Sequence, residues 1–202
     1  MTWVKVCGLS RAGEVAAAVG AGADAVGFVS VQGSPRFLPL DRIGHLADGV
    51  PERVRRVLLT LDLEPSELLE AVALTHVDAV QPYGKHRTTA AAAAAENGLF
   101  VLEPVAAEQL SAYSGPSRGV TPLFDASAFG IYGGTGSTFD WTLLDDKRGD
   151  FVVAGGLAAD NVGAVITQVH PWGVDASSRL ESSPGVKDLG KVTAFVEEGK
   201  QA

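Results

Sequence analysis

Short apolar runs alternate with amphipathic stretches along the whole chain. The runs are continuous, with no polar–apolar alternation, as in parallel strands buried on both faces. They predict strands at Val4–Cys7, Ala25–Val29, Arg53–Leu61, Val77–Gln81, Leu99–Val105, Val120–Asp125, Phe151–Ala154 and Gly173–Ala176. Helical spacing between them predicts helices over Arg11–Gly20, Leu40–Ala47, Pro65–Leu74, the alanine-rich Ala90–Ala95, Ala107–Tyr113, Phe139–Asp145, Asp160–Gln168 and Asp188–Glu198. In the first helix Val15, Ala18 and Val19 share a face, and Ala21-Gly22 stops it. Pro65 suits a first helical turn, where its missing N–H costs nothing. A further short helix is expected to open at Ser177-Ser178.

Strict strand–helix alternation predicts a parallel sheet. Eight such pairs close a barrel, whereas an open doubly wound sheet uses about five or six strands. The expected fold is therefore α/β: a single (β/α)8 TIM barrel, parallel and eight-stranded. With 202 residues, each pair has about 25 residues, near the small end for this architecture. No linker or shift in composition suggests a second domain, so residues 1–202 are expected to form one.

Composition narrows the function classes. A net charge of −8 argues against nucleic acid and against an anionic membrane surface as partners. Cys7 is the only cysteine, which rules out an internal disulfide and fits a cytoplasmic location. Met1–Ser10 has no charged leader with an apolar core, and no apolar run reaches the roughly 20 residues of a membrane span. The four histidines, His45, His76, His86 and His170, fall in helical or loop contexts and are read as surface or structural. No metal-ligand cluster is visible, and no cofactor is expected.

Barrel chemistry comes from the carboxyl ends of strands and the loops after them. There the chain places Cys7, Arg36, Asp62, Gln81, Tyr83, Glu103, Asp125, Asp175, Ser177 and Ser178. Two small-residue turns, Gly155-Gly156 and Ser177-Ser178, follow the last two strands. Free backbone N–H groups at helix starts bind anions, and the last two loops of such barrels commonly hold phosphate. Each candidate also has a structural reading. A lone cysteine is often a small buried hydrophobe, Arg36 can bond loop carbonyls, and Asp125 can cap its loop. The glycines of Gly133–Gly136 and Gly155-Gly156 are weak signals, since any tight turn uses them. Position alone leads to a phosphate-binding barrel enzyme.

Longer motifs add more. VKVCGLS at Val4–Ser10, GADAVGFV at Gly22–Val29 with SPR at Ser34–Arg36, and LFDA at Leu123–Ala126 occur in order. GGTGSTFDW at Gly133–Trp141, AGGL with DNV within Ala154–Val162, and GVDASSRLESSPGVKD at Gly173–Asp188 follow. Together they resemble the phosphoribosylanthranilate isomerase family of tryptophan biosynthesis, from end to end. The resemblance implies an Amadori rearrangement of N-(5′-phosphoribosyl)anthranilate to 1-(2-carboxyphenylamino)-1-deoxyribulose 5-phosphate. It also implies Cys7 as general base, Asp125 as general acid and Arg36 as the holder of the anthranilate carboxylate. Phosphate would rest on the N–H groups of Gly134, Thr135, Gly136, Gly155, Gly156, Ser177 and Ser178. Gln81, Tyr83, Asp175 and Arg179 are candidate substrate contacts. The partner is then a small phosphoribosyl molecule, and the chain is expected to be a monomer or homodimer.

The residue types agree with that chemistry. A carboxylic acid can protonate a ring oxygen, and a thiolate can take a carbon-bound proton. A thiol with an ordinary pKa of about 8.5 is mostly protonated at neutral pH, so local help for Cys7 is expected. The chain departs from the family in three places. Tyr83 stands where the family usually has His, Arg179 where it usually has Gly, and Ser137 where Lys is common. These departures leave a non-catalytic or altered-specificity phosphosugar-binding barrel as the alternative. A broader isomerase that also takes the histidine-pathway aminoaldose is disfavoured, because such barrels generally use two Asp residues.

Overall fold

The computed structural model describes residues 1–125, 140–144 and 150–202. Eight strands close into one parallel barrel in sequence order. They are β1 (Trp3–Cys7), β2 (Ala25–Ser30), β3 (Arg55–Leu61), β4 (Ala79–Tyr83), β5 (Phe100–Ala106), β6 (Val120–Asp125), β7 (Val152–Ala154) and β8 (Gly173–Ala176). The helices are α1 (Ala12–Gly20), α2 (Leu40–Ala47), α3 (Pro65–Thr75), α4 (Arg87–Glu96), α5 (Val162–Val169) and α6 (Leu189–Gln201). Closure is made by β1 pairing with β8, Lys5 opposite Asp175. The eight-stranded parallel barrel expected from the apolar runs is therefore what forms.

Two apolar layers hold it. Outward strand residues such as Val4, Val6, Phe28 and Leu58 pack with Ile43, Val165 and Phe195 of the helices. Inward residues fill the barrel itself, among them Ala25, Val57, Ala79, Leu102, Leu123 and Val152. Trp3, Phe100 and Trp172 close its amino-terminal end, with Trp3 and Trp172 stacked at 4.9 Å between centroids. The alanine helix α4 buries Ala90, Ala91 and Ala94. Their short side chains let the helix lie close to Val80, Val101 and Val120.

Several boundaries differ from the pattern-based expectation. Pro51–Val54 forms a turn closed by Val54 N–H to Pro51 O, so β3 starts at Arg55 and not at Arg53. Asp78 accepts from the Arg56 guanidinium at 2.6 Å, which ties it to β3 ahead of the strand. β4 accordingly runs from Ala79 to Tyr83, and Tyr83 belongs to the strand. The expected helix at Ala107–Tyr113 is a 3-10 helix over Ala107–Ala112. The one at Phe139–Asp145 is a 3-10 turn over Trp141–Leu144 within the described residues. The short helix at Ser177-Ser178 forms as a 3-10 turn, Ser178–Leu180. After Gly155-Gly156 the helix begins only at Val162, because Asn161 closes the intervening turn. Its Oδ1 accepts from Ala158 N–H and its Nδ2 donates to Gly156 O.

One element was not anticipated. After the Ser178–Leu180 turn the chain makes a small antiparallel hairpin, β9 (Glu181–Ser183) and β10 (Val186–Lys187). Its strands are too short and too polar to register as apolar runs. The tip presses on the loop after β2: a Cβ on Gly185, at φ +79°, would lie 2.1 Å from Pro35 O. Gly185→Ala is therefore expected to destabilise the chain by more than about 1 kcal/mol, from the left-handed backbone and the clash together. A melting temperature equal to wild type would refute this packing.

Candidate active site

β1, β4, β6 and β8 each bring polar side chains into a barrel interior that is otherwise apolar. On β1, Lys5 and Cys7 both point inward, as residues two apart on one strand must. Gln81 and Tyr83 do so on β4. Asp125 ends β6 and Asp175 lies on β8. β1 and β6 have β7 and β8 between them on one side of the closed barrel, so Cys7 and Asp125 rise from separate walls.

Lys5 is wholly buried, an exceptional place for an ammonium unless it is paired. Its Nζ donates to Asp175 Oδ2 at 2.8 Å and to Gln81 Oε1 at 2.9 Å. Gln81 Nε2 then donates to the Tyr83 hydroxyl oxygen at 2.7 Å. An ammonium has no acceptor, so the Gln81 oxygen must face Lys5 and its NH2 must face Tyr83. The Tyr83 proton is thereby left to point elsewhere. Burial, then the nearby Asp125, Cys7 and Asp175, push the Tyr83 phenol well above its ordinary range, so it stays neutral. Burial likewise raises Asp175, against the opposing pull of Lys5. Its Oδ1 is buried and has no hydrogen-bond partner among the described residues.

Burial raises the Cys7 thiol as well, while Lys5 pulls it down. The thiol fits because Gly27 faces it across β1–β2. A Cβ on Gly27 would come within 2.8 Å of Cys7 Sγ and 3.3 Å of Lys5 Cε.

Arg36 lies at the mouth with its stem over Gly8, where a Cβ would sit 2.5 Å from Arg36 Cδ. Its guanidinium grips Glu181 of the hairpin with two bonds, Nε to Oε1 at 2.6 Å and Nη2 to Oε2 at 2.9 Å. Glu181 Oε1 also accepts from Lys187 Nζ at 2.9 Å. Burial opposes the charge on Glu181, but Arg36 and Lys187 outweigh it and hold the carboxyl below its usual range. Lys187 further donates to Ser177 O at 3.0 Å, and Ser177 Oγ donates to Cys7 O at 3.0 Å. The hairpin is thus tied to the end of β1.

Gly155 and Gly156 follow β7, both at positive φ (92° and 64°). Among the described residues the N–H groups of Gly156, Ser178 and Arg179 meet no backbone acceptor. Arg179 joins the two loops: Nη1 donates to Gly156 O at 3.1 Å and Nη2 to Asp160 Oδ2 at 2.6 Å. That hydrogen bond lowers the Asp160 carboxyl. Gly134, Thr135, Gly136 and Ser137 lie outside the described residues.

Asp62 and Glu103 face other work. Asp62 Oδ1 accepts from Lys85 N–H, and Glu103 Oε1 from the Thr88 hydroxyl. His76 pairs with Asp48 and His86 with Glu64, while His45 and His170 are exposed. Among the described residues no group of three or more His, Cys, Asp or Glu is placed to hold a metal, and no helix is long and apolar enough to cross a membrane.

The sequence profile of the family described as N-(5′-phosphoribosyl)anthranilate (PRA) isomerase matches residues 4–198. The chain belongs to the phosphoribosylanthranilate isomerase family. It is 38% identical to the N-(5′-phosphoribosyl)anthranilate isomerase of Rubrobacter xylanophilus, over 99% of this chain and all of that one. The crystal structure of the family member from Thermotoga maritima superposes with a TM-score of 0.87 at 31% identity, covering all of both chains. A second family crystal structure, in complex with reduced 1-(o-carboxyphenylamino)-1-deoxyribulose 5-phosphate, superposes with a TM-score of 0.84 at 29% identity, again over all of both chains.

Sequence reasoning in this family's terms misses Lys5, Glu181 and Lys187. Lys5 sits mid-strand, away from the strand ends where candidates were sought. One signal was available: a lysine inside an apolar strand run, Trp3–Cys7, must be paired or functional.

Proposed function

We infer that this chain catalyses the family's Amadori rearrangement of N-(5′-phosphoribosyl)anthranilate, by general acid–base chemistry between Asp125 and Cys7. The observation that carries the reading is the convergence of a buried thiol, a buried carboxyl and a buried cation in one barrel mouth beside Arg36. Asp125 gives its proton to the ribose ring oxygen, and the C1′–O4′ bond breaks. The electron pair of that bond leaves with oxygen, and the anthranilate nitrogen supplies its own pair to C1′, forming an iminium ion. The iminium acidifies the C2′ proton, which Cys7 removes. The resulting enolamine takes a proton at C1′ and releases its C2′ hydroxyl proton to become the ketone, so the proton taken by Cys7 is given back and the one lent by Asp125 is recovered. C2′ is oxidised and C1′ reduced within one molecule, so the step is an aldose–ketose isomerisation that consumes no external oxidant or reductant.

Three features support the binding roles. Arg36 and Lys187 both pair with the carboxylate of Glu181 at the barrel mouth. The planar guanidinium there suits the carboxylate of the anthranilate ring better than an ammonium would. The N–H groups around Gly155, Gly156, Ser177 and Ser178, together with Gly134, Thr135 and Gly136, take the phosphate. Arg179 braces that cradle from the side through Gly156 and Asp160. The phosphate is then held by backbone dipoles, with Arg179 as their support. Asp175 Oδ1 and the Tyr83 hydroxyl are placed for ribose hydroxyls. A cytoplasmic protein working as a monomer or homodimer fits this role.

Turnover of freshly prepared phosphoribosylanthranilate, followed by loss of anthranilate-type fluorescence, tests the reading; no turnover would end it. Arg36→Ala is expected to raise KM by roughly 10- to 100-fold with little change in kcat, the scale of a lost charged hydrogen bond. An unchanged KM would remove Arg36 from the carboxylate site.

A further inference from the structure

The general base needs help to ionise, since burial works against a thiolate, and the described structure holds a cation placed to give it. Lys5 and Cys7 lie two residues apart on β1 with both side chains inward. The Lys5 stem climbs toward the carboxyl end: its Cε and Cys7 Sγ both border the space over Gly27, 3.3 Å and 2.8 Å from the Cβ that glycine lacks. Its ammonium is fixed from below by Asp175 at 2.8 Å and from the side by Gln81 at 2.9 Å. Those two bonds use two of its three protons and leave one, on a stem whose Cε shares the space over Gly27 with Cys7 Sγ. We propose that Lys5 is a positioning residue of the isomerisation, the buried counter-cation that favours the ionised form of Cys7 against the cost of its burial. The proposal rests on the reading of Cys7 as the base.

Other charged groups face the same thiol. Asp175 from β8 opposes its ionisation and Lys187 from β10 favours it. Tyr83 from β4 remains neutral, and Asp125 from β6 acts on Tyr83 and Asp175. Arg36, over Gly8, is engaged by Glu181. Lys5 is the cation with the strongest influence on Cys7, and Asp175 has the opposite sign. That opposition gives a test which a purely structural role would not meet.

Cys7 is the only cysteine, so its ionisation can be followed by ultraviolet thiolate absorbance, with Cys7→Ser subtracted to remove tyrosine. In Lys5→Met the thiolate midpoint is expected to rise by about one pH unit or more, and in Asp175→Asn to fall. Lys5→Met leaves a buried carboxylate unpaired and can fail to fold. The double variant Lys5→Met/Asp175→Asn removes both charges, and its midpoint is expected above that of Asp175→Asn alone. Midpoints that stay put, or that move in the same direction in the two single variants, overturn the proposal. The acid limb of kcat/KM should follow the thiolate midpoint to higher pH when Lys5 is lost, because only the ionised base works. A midpoint that moves while the acid limb does not would retain the Lys5–Cys7 pairing and remove Cys7 as the base.

Discussion

Asp125→Asn is expected to lower kcat by about 10²-fold or more, with KM little changed, because the amide keeps the shape of the acid and loses its proton. Asp125 closes β6 in register with Ala106 of β5 and Ala154 of β7, and it is almost fully buried. An amide of equal size leaves that packing intact, so the loss reads the proton and not the fold. The affected step is ring opening. Without a proton on the ring oxygen the departing group is an alkoxide, a far poorer leaving group. A substrate already opened past that step should react in the variant at close to the wild-type rate. Wild-type kcat with the cyclic substrate would reject Asp125 as the acid.

Cys7→Ser should cost a similar factor, about 10²-fold or more in kcat, for a complementary reason. A hydroxyl is slightly smaller than the thiol, so the contact over Gly27 survives. What changes is acidity, because serine has no accessible anion near neutral pH. Lys5 can stabilise a thiolate beside it, but its field is too small to ionise an alcohol. The loss should therefore persist as pH is raised, where a merely weakened thiol would recover. Substrate binding through Arg36 and the phosphate loops should be unaffected, so KM should stay near wild type. Activity equal to wild type in this variant would move the base elsewhere in the site.

The phosphate loops illustrate a limit of local patterns. Glycine pairs and serine pairs after strands announce sharp turns, and those turns form at Gly155-Gly156 and Ser177-Ser178. Sequence does not reveal what a long side chain beside them will meet. Arg179 follows the two serines and is as compatible with the phosphate as with any carboxylate. In the folded chain Asp160, from the preceding loop, receives its guanidinium at 2.6 Å. The two residues are brought together by β7 and β8 lying side by side.

The same contrast separates the strands from the polar groups inside them. Eight continuous apolar runs with helices between them determined a closed parallel barrel, since strands buried on both faces have no other economical cover. The motifs from Val4–Ser10 to Gly173–Asp188 determined the family, and with it the expected places of Cys7, Arg36 and Asp125. Tertiary structure alone decided that Lys5 lies under Cys7 between Asp175 and Gln81, residues 170 and 76 positions away. It alone decided that a hairpin at Glu181–Lys187 grips Arg36 from across the mouth. Hydrophobic periodicity is a local property, set by which face a backbone segment buries. A buried charge is specified by its partners, and barrel closure chooses those partners from strands far apart in the chain.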